Sequence, residues 1–371
     1  MARISTFDDW IDLFAEWRRD IGIDLPEIAS YPFEAKYGTL KCSEIEYGDF
    51  RGQPKWERVL EIPDQRVRDA LQNLIIYQGD TEFASVEQQR YLVDTAPGEY
   101  DRYALVRVMT EEMRHGFQMC HLLVNHFGHS GKIEAAKQLE RRAFANNRLL
   151  GAFNQIVANW LDFYTYTDFV DRDGKYQLNM LSTSAFAPLA RSMLPMLKEE
   201  SFHLGTGHDG IKRILKAGLV PTDIIQKYLN KWISTAFDLF GVDNSSSAHW
   251  FYVWGLKGRF DEAASPPDPD KSKLNEHNRE LYRQECLELV GQFNRALPEG
   301  ATPLVVPDLK FNRKIGQYAS QCFTVDGQPV APERYPEYSA SVLPSEADQA
   351  RLKPILATKG WIAEKPMPAA A

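Results

Sequence analysis

Cysteine is scarce in this chain: four residues in 371, Cys42, Cys120, Cys286 and Cys322, stand far apart with no C-x-x-C among them. That spacing argues against a disulfide scaffold, a structural zinc site or an iron–sulfur cluster, and the four read as buried thiols of a reducing cytoplasm. Basic stretches are also missing. With 43 Lys and Arg against 51 Asp and Glu, the net charge of −8 speaks against a nucleic-acid partner. No apolar run approaches the roughly 18 residues of a membrane span, and the opening MARISTFDDW has no apolar stretch to act as a signal peptide. Low-complexity tracts and internal repeats are absent, apart from one doubled pattern described below. What remains is an ordinary globular composition, 44% hydrophobic and 25% charged, whose chemistry must lie in carboxylates and a few of its eight histidines.

The segment EYDRYALVRVMTEEMRHGFQMCHLLVNHFG predicts a helix over Glu99–Gly128. Its apolar stripe runs Leu105, Val108, Glu112, His115, Met119, Leu122, in steps of three and four, so two polar residues interrupt a core-facing stripe. Burying a carboxylate and an imidazole costs several kcal/mol unless a partner compensates, and a metal ion is one such partner. A histidine satisfied by its own helix is the commoner reading of a single Glu-x-x-His. A second copy changes the balance. In LARSMLPMLKEESFHLGTG, Met193, Met196, Leu197, Glu200, His203 and Leu204 share a face. Upstream of each copy lies another acid, Glu82 at 30 residues before Glu112 and Asp171 at 29 before Glu200, which is one long helix out and back. Asp168 shares the face of Asp171; periodicity does not choose between them, and spacing favours Asp171. Four helices carrying Glu82, Glu112/His115, Asp171 and Glu200/His203 present the ligand set of ferritin-like di-iron carboxylate proteins. Four carboxylates carry −4, which two Fe(II) ions would cancel.

The rest of the chain predicts a helix at Ser5–Arg19 and a covering segment over 24–63 with a short strand at Thr39–Cys42. A helix from Gln65 towards Glu82 follows, interrupted at Gly79-Asp80. A short exposed helix is expected at Lys132–Arg142, and a long one from Asn147 to Asp171 ending at Asp173-Gly174. The fourth helix should kink at Pro195, with His208 in a solvated loop and Arg114 beside a nearby acid or at the surface. Helices are further expected from Pro221 to Phe240 and over Leu274–Leu297. Ala263–Lys273 reads as a linker, and everything after Pro298 as irregular, with a hairpin at Asp326-Gly327 and a disordered PMPAAA end. The expected organisation is an N-terminal helix and cover (1–63), an all-α, ferritin-like four-helix bundle (64–262), and a C-terminal extension (263–371).

The words GDTEFASVEQQRYL, EEMRHGFQMCHLL, TDFVDRDGKYQL and KEESFHL resemble the oxygenase component of benzoyl-CoA 2,3-epoxidase over roughly residues 65–260. The resemblance implies a non-haem di-iron centre held by Glu82, Glu112, His115, Asp171, Glu200 and His203, with O2 as co-substrate and an aromatic acyl-CoA as substrate. It also implies a separate NADPH-dependent reductase carrying the flavin and iron–sulfur cluster that this chain would lack. Gln78, Gly116, Met119, Met193 and Met196 are the pocket residues expected beside the metals. Lys198, Lys212, Arg213, Lys257 and Arg259 are the expected donors to the thioester and CoA phosphates. The metal set alone leaves open a phenylacetyl-CoA epoxidase-like enzyme, an acyl desaturase, a radical-generating protein with Tyr164 as its tyrosine, or a non-catalytic iron-binding bundle.

Overall fold

The computed structural model describes residues 4–262 and 274–368. The expected linker at Ala263–Lys273 and the last three residues of PMPAAA therefore lie outside the described residues. The elements are α1 (Phe7–Asp20), α2 (Pro26–Ala29), α3 (Gln65–Gln89), α4 (Glu99–His126), α5 (Gly128–Glu140), α6 (Trp160–Leu181), α7 (Ala187–Ala217), α8 (Thr222–Leu239), α9 (Ser246–Val253), α10 (Leu274–Ala296), α11 (Tyr335–Val342) and α12 (Glu346–Leu356). No strand occurs among the described residues. At the position of the expected strand, the covering segment makes isolated bridges further along, Glu44 to Pro54 and Trp56 to Phe186.

Helices α3, α4, α6 and α7 form a ferritin-like bundle, with α3 packed on α4 and α6 on α7. Glycine sets the closeness of both pairs. A Cβ at Gly116 of α4 would lie 2.6 Å from the Phe83 ring of α3, and one on Gly207 of α7 would strike the backbone of Asp168 on α6. Around this core, α5 packs on α3 and α4, α8 on α6, and α10 on α6 and α7. The buried Tyr282 hydroxyl of α10 donates to the Phe169 carbonyl at 2.9 Å. Helix α1 is capped by Thr6 and buries Trp10, Phe14 and Trp17. The Trp10 indole donates to Ala135 of α5 at 2.9 Å.

Several boundaries differ from expectation for local reasons. Helix α3 runs unbroken through Gly79-Asp80. There Gly79 makes room for Met119 of α4, and Asp80 accepts from Arg148 and from the Leu149 amide. Arg148, with no exposed side-chain surface, also pairs with Glu87 at 2.8 Å, and so holds the segment before α6 out of the α-helix, with only a short 3-10 turn at Gly151–Asn154. Helix α6 consequently starts at Trp160 behind an Asn159 cap, not at Asn147. It also continues past Asp173-Gly174, because the Asp173 carboxylate bonds Gln177 four residues on instead of turning the chain.

Helix α7 passes through both Pro195 and Gly205–Gly210, so His208 is helical and half-buried, stacked on Phe293. Proline removes the N–H that would serve the carbonyl four residues back. That carbonyl, on Arg191, instead accepts the Gly38 amide of the covering segment at 2.8 Å. Helix α5 begins earlier than expected and buries Gly131, Ala135, Ala136 and Leu139. The C-terminal part contains the expected turn, with Gly327 at φ +79° and the Thr324 amide on Gln328. It is not irregular throughout, since it also holds α11 and α12. The Ser345 capping box starts α12, and Lys227 of α8 clamps it through Asp348 at 2.9 Å.

Candidate metal centre

In mid-bundle, the polar residues of the two Glu-x-x-His helices face each other. Glu82, Glu112 and His115 present ligand atoms within 4.8 Å of one another, as do Glu112, Glu200 and His203, so Glu112 belongs to both groups. His115 Nδ1 lies 3.4 Å from Glu82 and 3.6 Å from Glu200; His203 Nδ1 lies 3.2 Å from Glu112 and 3.4 Å from Glu200. The two imidazole centroids are 5.9 Å apart.

The outward nitrogens are taken by residues that sequence reasoning passed over. His115 Nε2 meets Glu199 at 2.9 Å and His203 Nε2 meets Glu111 at 3.1 Å. Each acid directly precedes a cluster glutamate, so each helix supplies the outer partner of the other's histidine. The signal was present as the doubled Glu-Glu in EEMRH and EESFH. Glu199 is held in turn by the fully buried Arg114, and Glu111 by Arg107. An acceptor on Nε2 fixes the tautomer whose Nδ1 lone pair points into the cluster.

Inside the cluster, His115 Nδ1, His203 Nδ1, Asp171 Oδ2 and Glu200 Oε2 are buried with no hydrogen-bond partner. Burial first, and then the charges of Glu82 and Glu200, push the Glu112 carboxyl well up. Burial likewise lifts Asp171, helped by Glu112 and Glu200. Against its own burial, His203 is pushed well up by Glu200, Glu111 and Glu112. Four acids, two of them with an unpartnered inward oxygen, and two imidazoles with Nδ1 unpartnered and Nε2 satisfied fit a pair of hard or borderline cations.

Similarity to known proteins falls on the same stretch. Residues 60–281 match the model of the phenylacetic acid catabolic protein family. The chain belongs to that family. It is 36% identical over 352 residues to benzoyl-CoA oxygenase component B of Aromatoleum evansii, covering 82% of this chain and 74% of that protein. It is also 24% identical over 168 residues to one subunit of the 1,2-phenylacetyl-CoA epoxidase of Escherichia coli (strain K12), covering 45% of this chain and 48% of that one.

In this family member the cluster opens on a 430 Å³ cavity, whose lining includes the exposed Tyr77, Ser247 and Ile315. Asp171 lines it with Glu82, Glu112 and Glu200. Asp168 does not, because Arg172 takes it at 2.6 Å and His208 approaches at 3.5 Å. Gln78 lines the cavity and donates to Glu82 at 2.5 Å. The other expected pocket residues do not line it. Gly116 and Met119 fill the α3–α4 contact against Phe83 and Gly79, and Met193 and Met196 are wholly buried in the core. The stripe that carries Glu112 and His115 closes above the cluster; the open space lies towards α6.

Of the expected CoA donors, Lys198 and Lys212 stand exposed on the outer face of α7. Arg213 is buried against Asp101 and Ala363, and Arg259 lies 5.7 Å from the Tyr252 ring centre; neither lines the cavity. Lys257 does line it. The Tyr164 hydroxyl donates to Asp101 at 2.6 Å, away from the cluster, whereas Tyr166 lines the cavity with an unpartnered hydroxyl.

Proposed function

We propose that this chain is the oxygen-activating component of an aromatic acyl-CoA epoxidase, with benzoyl-CoA the favoured substrate. One observation carries the reading: the four acids of the cluster line a largely apolar cavity large enough for an aromatic acyl group. Glu82, Glu112, His115, Asp171, Glu200 and His203 would hold two iron ions, and residues 64–262 would form the catalytic bundle with the flanking segments as cover. Bound there and reduced, the irons would supply the activation of O2. Electrons would come from a separate NADPH-dependent flavin and iron–sulfur reductase, and a CoA thioester substrate suits a cytoplasmic enzyme.

The protein's own part is positional. Glu199 and Glu111 keep both imidazoles in one tautomer, and Gln78 holds one Glu82 oxygen so that the other turns inward. Leu74, Val170, Leu181, Phe240 and Phe251 give the cavity an apolar wall that can hold a ring at the cluster and keep bulk water away. Among the described residues no helix is long and apolar enough to cross a membrane.

The test is anaerobic reduction followed by O2 in the presence of benzoyl-CoA, scoring iron per chain and product mass. About two irons and a product heavier by one oxygen atom are expected. Two irons with no oxygenated product would refute benzoyl-CoA as substrate; absence of iron from protein made with iron available would refute the centre itself.

A further inference from the structure

Beyond the cluster, the cavity wall carries one further polar station. Asp173 and Gln177 come from α6 and Lys257 from the turn after α9, and all three line the cavity. Gln177 Nε2 donates to Asp173 at 2.9 Å, and its oxygen accepts from Lys257 Nζ. Lys257 is the one Lys or Arg among the described residues of the lining. Its ammonium has three N–H donors, and the hydrogen bond to Gln177 is the one it makes among the described residues. Lys257 is half-buried, and its two spare N–H groups are free to meet a ligand acceptor in the cavity. Burial draws the amine down to about 8, opposed by the charges of Asp173 and Asp243.

Its place along the cavity is informative. Gln177 stands six residues beyond Asp171 on one helix, a rise of about 9 Å. That is far short of the CoA phosphates, which the pantetheine arm sets well beyond the thioester, and it leaves the thioester carbonyl, one bond from the ring, as the acceptor nearest a ring held at the cluster. The hydroxyl-bearing Ser245 and Ser247, the latter exposed, line the same cavity.

We infer that Lys257, held by Gln177, donates to the thioester carbonyl of the acyl-CoA and so sets how far the ring reaches into the cavity. This rests on the acyl-CoA reading above, and it moves Lys257 from the phosphate end of the ligand to the acyl end. Lys257 is thus a specificity-determining residue: it selects ligands with an acceptor at that distance from the reacting edge.

The test is calorimetric binding to iron-loaded, oxidised protein without reductase, so that nothing turns over. Two probes differ in one group: benzoyl-CoA, and S-benzyl-CoA, in which the carbonyl is a methylene. Wild-type protein should prefer the thioester by roughly ten- to a hundredfold, the worth of a hydrogen bond from a charged donor. Lys257→Met should bind both alike. Lys257→Gln, which keeps a neutral donor, should retain a several-fold preference and guards against a misfolded Met variant. The inference is overturned if wild type binds both probes equally, or if Lys257→Met keeps the wild-type preference. If wild type binds neither probe, the acyl-CoA reading itself fails and the inference with it.

Discussion

Replacing either outer glutamate separates stability from metal binding in a way the structure makes quantitative. Glu199 and Glu111 play the same part toward their histidines, but their cations differ. Arg114 has no exposed side-chain surface, whereas Arg107 is 40% exposed. Glu199→Gln therefore leaves a fully buried guanidinium without its carboxylate and should destabilise the metal-free protein by about 3 kcal/mol. Glu111→Gln breaks a pair with Arg107 that water already screens, worth at most about 1 kcal/mol, and should be the less destabilising of the two. Iron affinity should fall in both variants, by roughly ten- to a hundredfold, because each loses the charged acceptor that orients one imidazole. Denaturant titration of metal-free protein gives the first quantity, and anaerobic Fe(II) titration the second. The reasoning fails if Glu111→Gln is the more destabilising change, or if either variant binds iron as wild type does.

Two further outcomes follow from the same packing and charges. Gly207→Ala should destabilise by about 1–3 kcal/mol, since its Cβ would strike the Asp168 backbone, while Gly205→Ala faces open space and should stabilise by roughly 0.5–1 kcal/mol; thermal melts of the two decide it. In metal-free protein, burial and neighbouring acids raise Glu112 and Asp171, and the acids raise His203 against its burial, so the folded state holds protons the unfolded chain has released. Stability from these groups is present below their ordinary values and lost as pH rises through the folded ones. Glu82, Glu111 and Glu199, the last held at about 2, act oppositely, but only as pH falls below the ordinary 4.5. Metal-free protein should thus melt lower at pH 8 than at pH 6.5, and a melting temperature that rises over that window would refute the assignment.

The bundle was legible because its signal is periodic. Four apolar stripes, two interrupted by Glu-x-x-His, survive any uncertainty about loops, and the spacing of Glu82 and Asp171 placed their helices. What was misread depended on particular side-chain contacts that periodicity does not show. Asp173-Gly174 is a turn by local chemistry and a helix in fact, because Gln177 occupies the aspartate from within the helix. Asn147 opens a segment with helical periodicity, yet Arg148 buries itself against Asp80 and Glu87, 68 and 61 residues earlier. The pocket residues were expected along the same stripe as the ligands. The stripe shows which face is inward, but not that Gly79 lets α3 and α4 close over Met119. Asp168 and Asp171 could be told apart only by their neighbours.

The exchange between Gly38 and Arg191 gives the covering segment a role that trimming would expose. A proline five residues ahead of Glu200 leaves its helix a carbonyl short of a partner, and the missing N–H comes from Gly38, far earlier in the chain. The helix that carries Glu200 and His203 is thus not a self-sufficient part. Grafted into another scaffold it would need a substitute for Gly38, or an ordinary residue in place of Pro195. The boundary of the transplantable unit is drawn by backbone valence, not by the four helices that hold the acids.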